Sequence, residues 1–353
     1  MTLAKLGWNP VHEKAWNEAG RGSHFPARVI EVQKNIWRLA SEAGDFPARM
    51  SGRLWHRLLN PQDWPAAGDW VEADAGVIFD VLPRRSKLSR KAAGRRTEEQ
   101  IVAANIDTVF IVSSLDDDFS PRRLERYLTV VWEGGAQPVI VLNKADLCSD
   151  VERLGIETEA AAPGVPVYVI SATNAQGLDQ LKPYLRDGST SALVGSSGVG
   201  KSTLINQLAG FDRQFVSTLS SDGRGRHTTT SRSLIVLPSG ALVIDTPGMR
   251  ELQLWAADER LNDTFQEIDR LARECRFRDC RHMSEPGCAV LQSLDNGDTP
   301  QERYDSYMKL RRELAFLDRK QDVSAALELK RKWKTIHKAH RAMQRTRRKQ
   351  SDS

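Results

Sequence analysis

"TSALVGSSGVGKSTLINQLAG", residues 190–210, reads in order as an apolar strand, a Gly-rich turn and a helix. Gly195, four intervening residues, then Gly200, Lys201 and Ser202 fit the phosphate-loop pattern. Gly195, Gly198 and Gly200 let the backbone of Ser196, Ser197 and Val199 curl with its N–H groups turned inward. The helix N-terminus at Lys201, Ser202 and Thr203 adds partial positive charge there. Lys201 would bridge the β- and γ-phosphates of a nucleotide, and Ser202 would ligate Mg²⁺.

Working outward, "VIDTPG" at 243–248 ends an apolar strand on Asp245, whose carboxylate would face the same Mg²⁺. The Gly248 N–H would touch the γ-phosphate. On the other side, "VLNKAD" at 141–146 ends a strand in residues suited to reading a base. Asp146 can accept hydrogen bonds from both guanine N1–H and the exocyclic amine, a pair that adenine lacks, and a carboxylate left unpaired under a bound base is costly. Asn143 could brace the loop, the Lys144 stem could lie over the ring, and Ala145 falls between them. "ISAT" at 170–173 ends the next strand, where Ser171 and the Ala172 N–H would approach guanine O6. The base-reading segments therefore precede the phosphate loop. A parallel sheet keeps its pairing when its termini are joined and another surface loop is opened, so rotation is physically acceptable. The matches are read as parts of one site.

The chain has 353 residues, enough for two or three domains. Residues 25–90 carry short stretches ("ARVIEV", "NIWRLA", "GDWVEA", "GVIFDVL") at the spacing of a small β-barrel. From about residue 100, apolar runs alternate with helical segments, predicting an α/β domain with a largely parallel sheet. A helix, a cysteine cluster and a long charged helical segment follow. The expected division is an extension at 1–24, a barrel at 25–96, a GTPase domain with permuted motif order at 97–256 and a helical, zinc-binding C-terminal domain at 257–353.

No stretch approaches about 18 uninterrupted apolar residues, and the N-terminus lacks a signal-peptide core, so a cytoplasmic protein with no membrane partner is expected. The net charge of +5 is segregated: ten Lys or Arg and no acid lie between Lys330 and Lys349, leaving 41 basic and 46 acidic residues elsewhere. A second run, Arg84 to Arg96, holds seven basic residues and no acid. Such patches favour phosphate backbones through counterion release, pointing to a nucleic-acid partner; the alternative is a solvated face and tail.

At this point the chain resembles a family of circularly permuted, ribosome small subunit-dependent GTPases, often called RsgA. "LPRRSKLSRKAAG", "QIVAANIDTVFIVSS", "NKADL", "GSSGVGKSTLIN", "GRGRHTTT" and "DTPGMRE" carry the resemblance, with the three clustered cysteines and His282. It implies an oligonucleotide-binding (OB-fold) barrel, the permuted GTPase domain and a zinc-bearing C-terminal domain. It also implies late maturation of the small (30S) ribosomal subunit, with GTP hydrolysis to GDP stimulated by that subunit. The chain is expected to act as a monomer.

Ras-like enzymes orient the attacking water with a Gln after the DxxG motif; Met249 stands there and cannot do so. In "SSDGRGRHTTT", His227 is the preferred water-positioning residue, with Thr228 or Thr229 as ligand to Mg²⁺ and γ-phosphate; a plain surface histidine is the alternative. Arg224 and Arg226 could steady charge or hold rRNA phosphate. Cys275, Cys280, His282 and Cys288 read C-x4-C-x-H-x5-C, suiting one tetrahedral structural Zn²⁺ with no open position; unligated thiols are the other reading. Lys334, Lys338, Arg341, Arg345 and Arg348 recur at helical spacing as one basic, RNA-facing stripe. Trp37, Trp55, Trp64 and Trp70 could stack bases but are more often core. The leading reading is a GTPase acting as a timed assembly factor, and the rival a GTP-sensing rRNA-binding module whose hydrolysis is incidental.

Overall fold

The computed structural model describes residues 2–316 apart from 22, 34, 59, 61–62, 92–98, 211–231 and 246–263. Asn9 caps α1 (Pro10–Glu18), its side chain accepting from the Val11 and His12 N–H groups, and Pro10 supplies the preset φ of a first helical residue. β1 (Phe25–Gln33), β2 (Ile36–Ser41), β3 (Gly44–Met50), β4 (Trp70–Asp74) and β5 (Val77–Val81) follow, with α2 (Gly52–Arg57) capped by Ser51 between β3 and β4. They pair in the order β1-β2-β3-β5-β4, and β4 returns to β1, so five strands close into a barrel of OB type without free edges. Val29, Trp37, Leu39, Leu54, Val71 and Ile78 fill it. β3 was not legible in advance, because Pro47 demotes a strand reading. That proline lies short of the Arg49↔Val77 pairing at which β5 joins.

The basic run enters a separate two-stranded sheet, β6 (Lys87–Lys91) with β7 (Glu99–Ala104), so the expected 96/97 boundary falls between these two strands. Three of those charges are paired within the chain: Arg84 with Asp69 at 2.7 Å, Arg85 with Asp107 at 2.8 Å, Lys87 with Glu99 at 2.7 Å.

β8 (Thr108–Ser114), α3 (Pro121–Glu133), β9 (Gln137–Asn143), α4 (Val151–Ala161), β10 (Val167–Val169), β11 (Thr190–Val194), α5 (Lys201–Ala209), β12 (Arg232–Val236) and β13 (Leu242–Asp245) build the α/β unit. The sheet order is β10-β9-β8-β11-β13-β12; all neighbours are parallel except β12, which runs antiparallel to β13 and continues the sheet into β1 of the barrel. Val109 and Ile111 pack into the core on one face, Phe110 and Val112 into that on the other. Burial on both faces explains the near-continuous apolar runs. Parallel pairing brings the C-terminal ends of β8, β9, β11 and β13 to one edge of the sheet, where such folds bind ligands.

The C-terminal segment is helical: α6 (Gln266–Arg273), α7 (Ala289–Asp295) and α8 over 301–316. Its Phe265, Ile268, Tyr307 and Leu314 join the core that lies on the α3 side of the sheet. Buried Arg303 fixes the joint: its Nη1 donates to Glu125 Oε1 at 2.6 Å and to the Ala161 carbonyl at 3.0 Å, its Nε to Glu267 at 2.6 Å. At the other end, buried Arg28 donates to the carbonyls of Leu6, Gly68 (3.2 Å) and Asn105 (3.3 Å), tying the extension, barrel and α/β unit together. Among the described residues no helix is long and apolar enough to cross a membrane.

Candidate nucleotide site and metal centre

The phosphate loop leaves β11 at Gly195 and enters α5 at Lys201. Gly195 has φ +147°, and a Cβ there would lie 2.1 Å from the Val112 carbonyl oxygen, so the loop sits on β8 only because the side chain is missing. Gly200 has φ +96°, and a Cβ there would lie 2.2 Å from Asn143 Nδ2. The room left by Gly200 is thus where the "NKAD" asparagine enters. Asn143, 2% exposed, donates from Nδ2 to the Val199 carbonyl at 2.8 Å and accepts the Ala172 N–H on Oδ1 at 2.9 Å. One amide therefore joins the base-reading segment, the phosphate loop and the "SAT" segment. A buried Asn with both ends satisfied is a stabilising cross-tie; removing it strands a buried N–H and a buried carbonyl.

Lys201 Nζ is turned into the loop, donating to the carbonyls of Gly195 at 2.7 Å and Ser196 at 2.5 Å. Asp245, at the end of β13, is held above the usual carboxylate range by burial, which the nearby Lys201 ammonium opposes. Ser197, Gly198, Ser202 and Thr203 are exposed; Val199 is buried beneath the loop.

Lys144 takes left-handed backbone geometry, φ +66°, at the start of a short 3-10 turn over Ala145–Leu147, and its Nζ bonds Asp116 at 2.9 Å. Burial works to raise the Asp116 carboxyl, but bonds from Lys144, Ser114 and the Asp118 N–H outweigh it and hold the group at about 2. Asp146 is exposed, while Ser171 and Ala172 are buried at the end of the β10 segment. His227, Thr228, Thr229, Arg224, Arg226, Gly248 and Met249 lie outside the described residues, as do Lys334, Lys338, Arg341, Arg345 and Arg348.

Residues that sequence reasoning passed over stand beside this site. Arg123, at the start of α3, donates to Asp118 Oδ2 at 2.6 Å and to the Ser196 hydroxyl in the phosphate loop. The acids of "LDDD" at 115–118 follow directly on a buried strand's C-terminal end, a position that could have drawn attention to them.

The second site is contiguous. Cys275, Cys280, His282 and Cys288 bring their ligand atoms within 4.8 Å of one another and could hold a metal ion. Cys275 Sγ lies 3.8 Å from Cys288 Sγ and 3.6 Å from His282 Nδ1, which is 3.4 Å from Cys288 Sγ. His282 reaches this position through left-handed backbone, φ +59°, and its carbonyl accepts Tyr304 Oη at 2.5 Å. Cys288 also caps α7, its sulfur accepting the Leu291 N–H at 3.5 Å. Burial pushes its thiol up to about 12, with Cys280 and Cys275 adding to the rise, so a cation is needed to keep thiolate there at neutral pH. Cys148 lies apart in the loop after β9.

A phosphate loop on a mainly parallel sheet, cross-tied to "NKAD" and "SAT" segments that precede it in the chain, defines a P-loop GTPase with circularly permuted motifs. The RsgA GTPase family model matches residues 81–255. An ABC transporter model matches residues 178–350, sharing the phosphate loop but leaving out "NKAD". The Small ribosomal subunit biogenesis GTPase RsgA of Opitutus terrae is 45% identical over 98% of both chains. Small ribosomal subunit biogenesis GTPase RsgA 1 of Oceanobacillus iheyensis is 47% identical over 88% of this chain and 91% of its own. Among solved structures, YjeQ from Thermotoga maritima superposes with a TM-score of 0.62 at 29% identity, covering 83% of this chain and 99% of that one. YloQ, described as a circularly permuted GTPase, gives 0.58 at 27% identity over 84% and 96%. The chain belongs to the RsgA GTPase family and is a GTP hydrolase.

Proposed function

We propose that this GTPase binds the small (30S) ribosomal subunit in its GTP form, acts in late maturation of that subunit and leaves after hydrolysis to GDP. The relatives named for small-subunit biogenesis support the partner. The observation that carries the nucleotide chemistry is the Asn143 amide, whose two bonds unite segments that the chain order separates. Asp146 reads guanine, the Ala172 N–H faces O6 with Ser171 beneath it, and the Lys144 stem, anchored through Asp116, covers the ring. The N–H groups of Ser196, Ser197, Gly198, Val199, Gly200, Lys201, Ser202 and Thr203 wrap the phosphates, with Lys201 exchanging its own loop carbonyls for phosphate oxygens. Ser202 and Asp245, with Thr228 or Thr229, would hold Mg²⁺, which would supply neutralisation of phosphate charge. His227 positions water, since Met249 cannot.

Cys275, Cys280, His282 and Cys288 hold one structural Zn²⁺. A tetrahedral ion with Zn–S near 2.3 Å and Zn–N near 2.05 Å separates two sulfurs by about 3.8 Å and a sulfur from a nitrogen by about 3.6 Å. The separations of 3.8, 3.6 and 3.4 Å among Cys275, His282 and Cys288 support that geometry, and all four ligand atoms lie within 4.8 Å of one another. The basic tail, with Lys334, Lys338, Arg341, Arg345 and Arg348, contacts rRNA, and the protein works as a cytoplasmic monomer. GTP turnover measured with and without purified small subunits, for the full chain and for one ending at Leu329, tests the proposal. Stimulation that falls on truncation is expected; equal turnover with and without subunits would overturn it.

A further inference from the structure

α3 presents two working faces. Arg123, in the first turn, reaches Ser196 of the phosphate loop, its guanidinium donating to the hydroxyl. Asp118 accepts from the same Arg123 Nη1, through Oδ2 at 2.6 Å and the carbonyl at 3.3 Å. Around the helix, Glu125, Arg126 and Thr129 turn to the C-terminal segment. Glu125 accepts Arg303 at 2.6 Å and the Ser306 hydroxyl; in this ion pair the Arg303 and Glu125 side chains are 8% and 5% exposed. Arg126 clamps Glu313 of α8 with two parallel bonds of 2.7 Å. Thr129 and Thr264 pair hydroxyl to hydroxyl at 2.8 Å. Leu124, Leu128 and Val131, all buried, fix the remaining face in the core on the sheet, so the helix responds as one body rather than bending between its two sets of partners.

We infer that α3 couples the metal-bearing C-terminal segment to the nucleotide, with Arg123 as the positioning residue that sets the phosphate loop through Ser196. Ser196 directly follows Gly195, and its carbonyl is one of the two that accept Lys201. A shift of the Arg123 guanidinium therefore moves both the backbone that wraps phosphate and the acceptor of the phosphate-binding ammonium. Whatever displaces the C-terminal segment on its partner changes the load on Glu125, Arg126 and Thr129, and the same rigid helix delivers that change to Ser196. This supplies a physical route from subunit contact to the nucleotide, and it rests on the nucleotide reading above. An energetic link of this kind is established by non-additivity and not by a chain of contacts alone.

The test uses the full chain as wild type, Arg123→Ala, Arg123→Lys, Glu313→Ala and the Arg123→Ala/Glu313→Ala pair. Each is titrated with a fluorescent, non-hydrolysable GTP analogue at fixed Mg²⁺, and each is melted to confirm the fold. Arg123→Ala should weaken binding about three- to tenfold, and Arg123→Lys, which keeps a donor for Ser196, should recover part of that loss. Glu313→Ala, on a different segment and partly exposed, should weaken binding about two- to threefold in the wild-type background and cause no further loss beside Arg123→Ala. Equal effects of Glu313→Ala in both backgrounds, or unchanged binding in either single variant, would overturn the coupling while leaving the nucleotide site intact. Absence of binding by the wild type would overturn the nucleotide reading and the coupling with it.

Discussion

The metal cluster and the nucleotide site are built on opposite plans. The Cys–His cluster draws its four candidate ligands from residues 275–288, three of them buried, and an ion held by all four would have no coordination position left for a reactant. The nucleotide site gathers Asn143, Ala172, Gly195 to Ser202 and Asp245 from the ends of separate strands, and Ser197, Gly198 and Ser202 of its loop are open to solvent. A contiguous closed site stabilises a segment too small to build a core of its own, whereas a dispersed open one lets a ligand enter, react and leave. The sheet makes the second plan possible, because parallel strands bring distant residues to one edge whatever their order along the chain.

Stripping the metal should break one plan and spare the other. Chelation, or Cys280→Ser, removes a binding energy on the order of 10 kcal/mol from the 275–288 segment. The circular-dichroism melt should lose its C-terminal helical part, while GTP-analogue affinity falls much less; survival of the full melt would show that the thiols fold without an ion. The cluster should also release its ion on acidification, since the Cys288 thiol and the His282 imidazole then compete for protons with the metal.

Arg303→Ala attacks the joint between the two regions. It strands the buried Glu125 carboxylate and should cost about 3–5 kcal/mol in urea unfolding. A change under about 1 kcal/mol would mean that the pair is replaced by water. Lys201→Ala should do the reverse of metal loss, lowering GTP turnover by about 10²-fold or more, near 3 kcal/mol of transition-state stabilisation, with an unchanged melt. A turnover loss under tenfold would place phosphate neutralisation elsewhere.

The effect that is smallest near neutral pH concerns neither site. His12 packs against both Trp8 and Trp70, whose rings also meet each other. Burial, then the Arg85 and Arg28 charges, lower its pKa to about 4. The folded state therefore binds this proton less readily than the unfolded chain, so stability is full above about pH 6.5 and falls as pH drops toward 4. The limiting loss is about 3 kcal/mol. His12→Phe should flatten urea-derived stability over that window, and an unchanged slope would assign the acid sensitivity to other groups.

What the sequence made legible was what it writes locally. The strand, turn and helix around Gly195, the "NKAD" segment and the spacing of Cys275, Cys280, His282 and Cys288 are each short patterns with a physical cause. The barrel was readable from its strand spacing except for β3, hidden by Pro47. The basic run at 84–96 reads as a patch for phosphate, yet Arg84, Arg85 and Lys87 each meet an internal carboxylate, which counting charge along the chain cannot show. Of the tryptophans weighed as core, Trp37 and Trp70 are buried, while Trp55 is 41% exposed and lies against Trp64 with ring centroids 4.8 Å apart. Arg123 with Ser196 and Arg303 with Glu125 were invisible because 73 and 178 residues separate the partners and no periodicity encodes such a pair.

The central claim is that segments in rotated order form one guanine site, and nucleotide choice tests it most directly. Turnover of GTP, ATP and xanthosine triphosphate should be compared for the wild type and Asp146→Asn. The wild type should use GTP and reject ATP, and Asp146→Asn should shift preference toward xanthosine triphosphate, whose added oxygen replaces the amine that the carboxylate reads. Unchanged GTP use by Asp146→Asn would contradict the account, because "NKAD" would then lie outside the site that the phosphate loop serves.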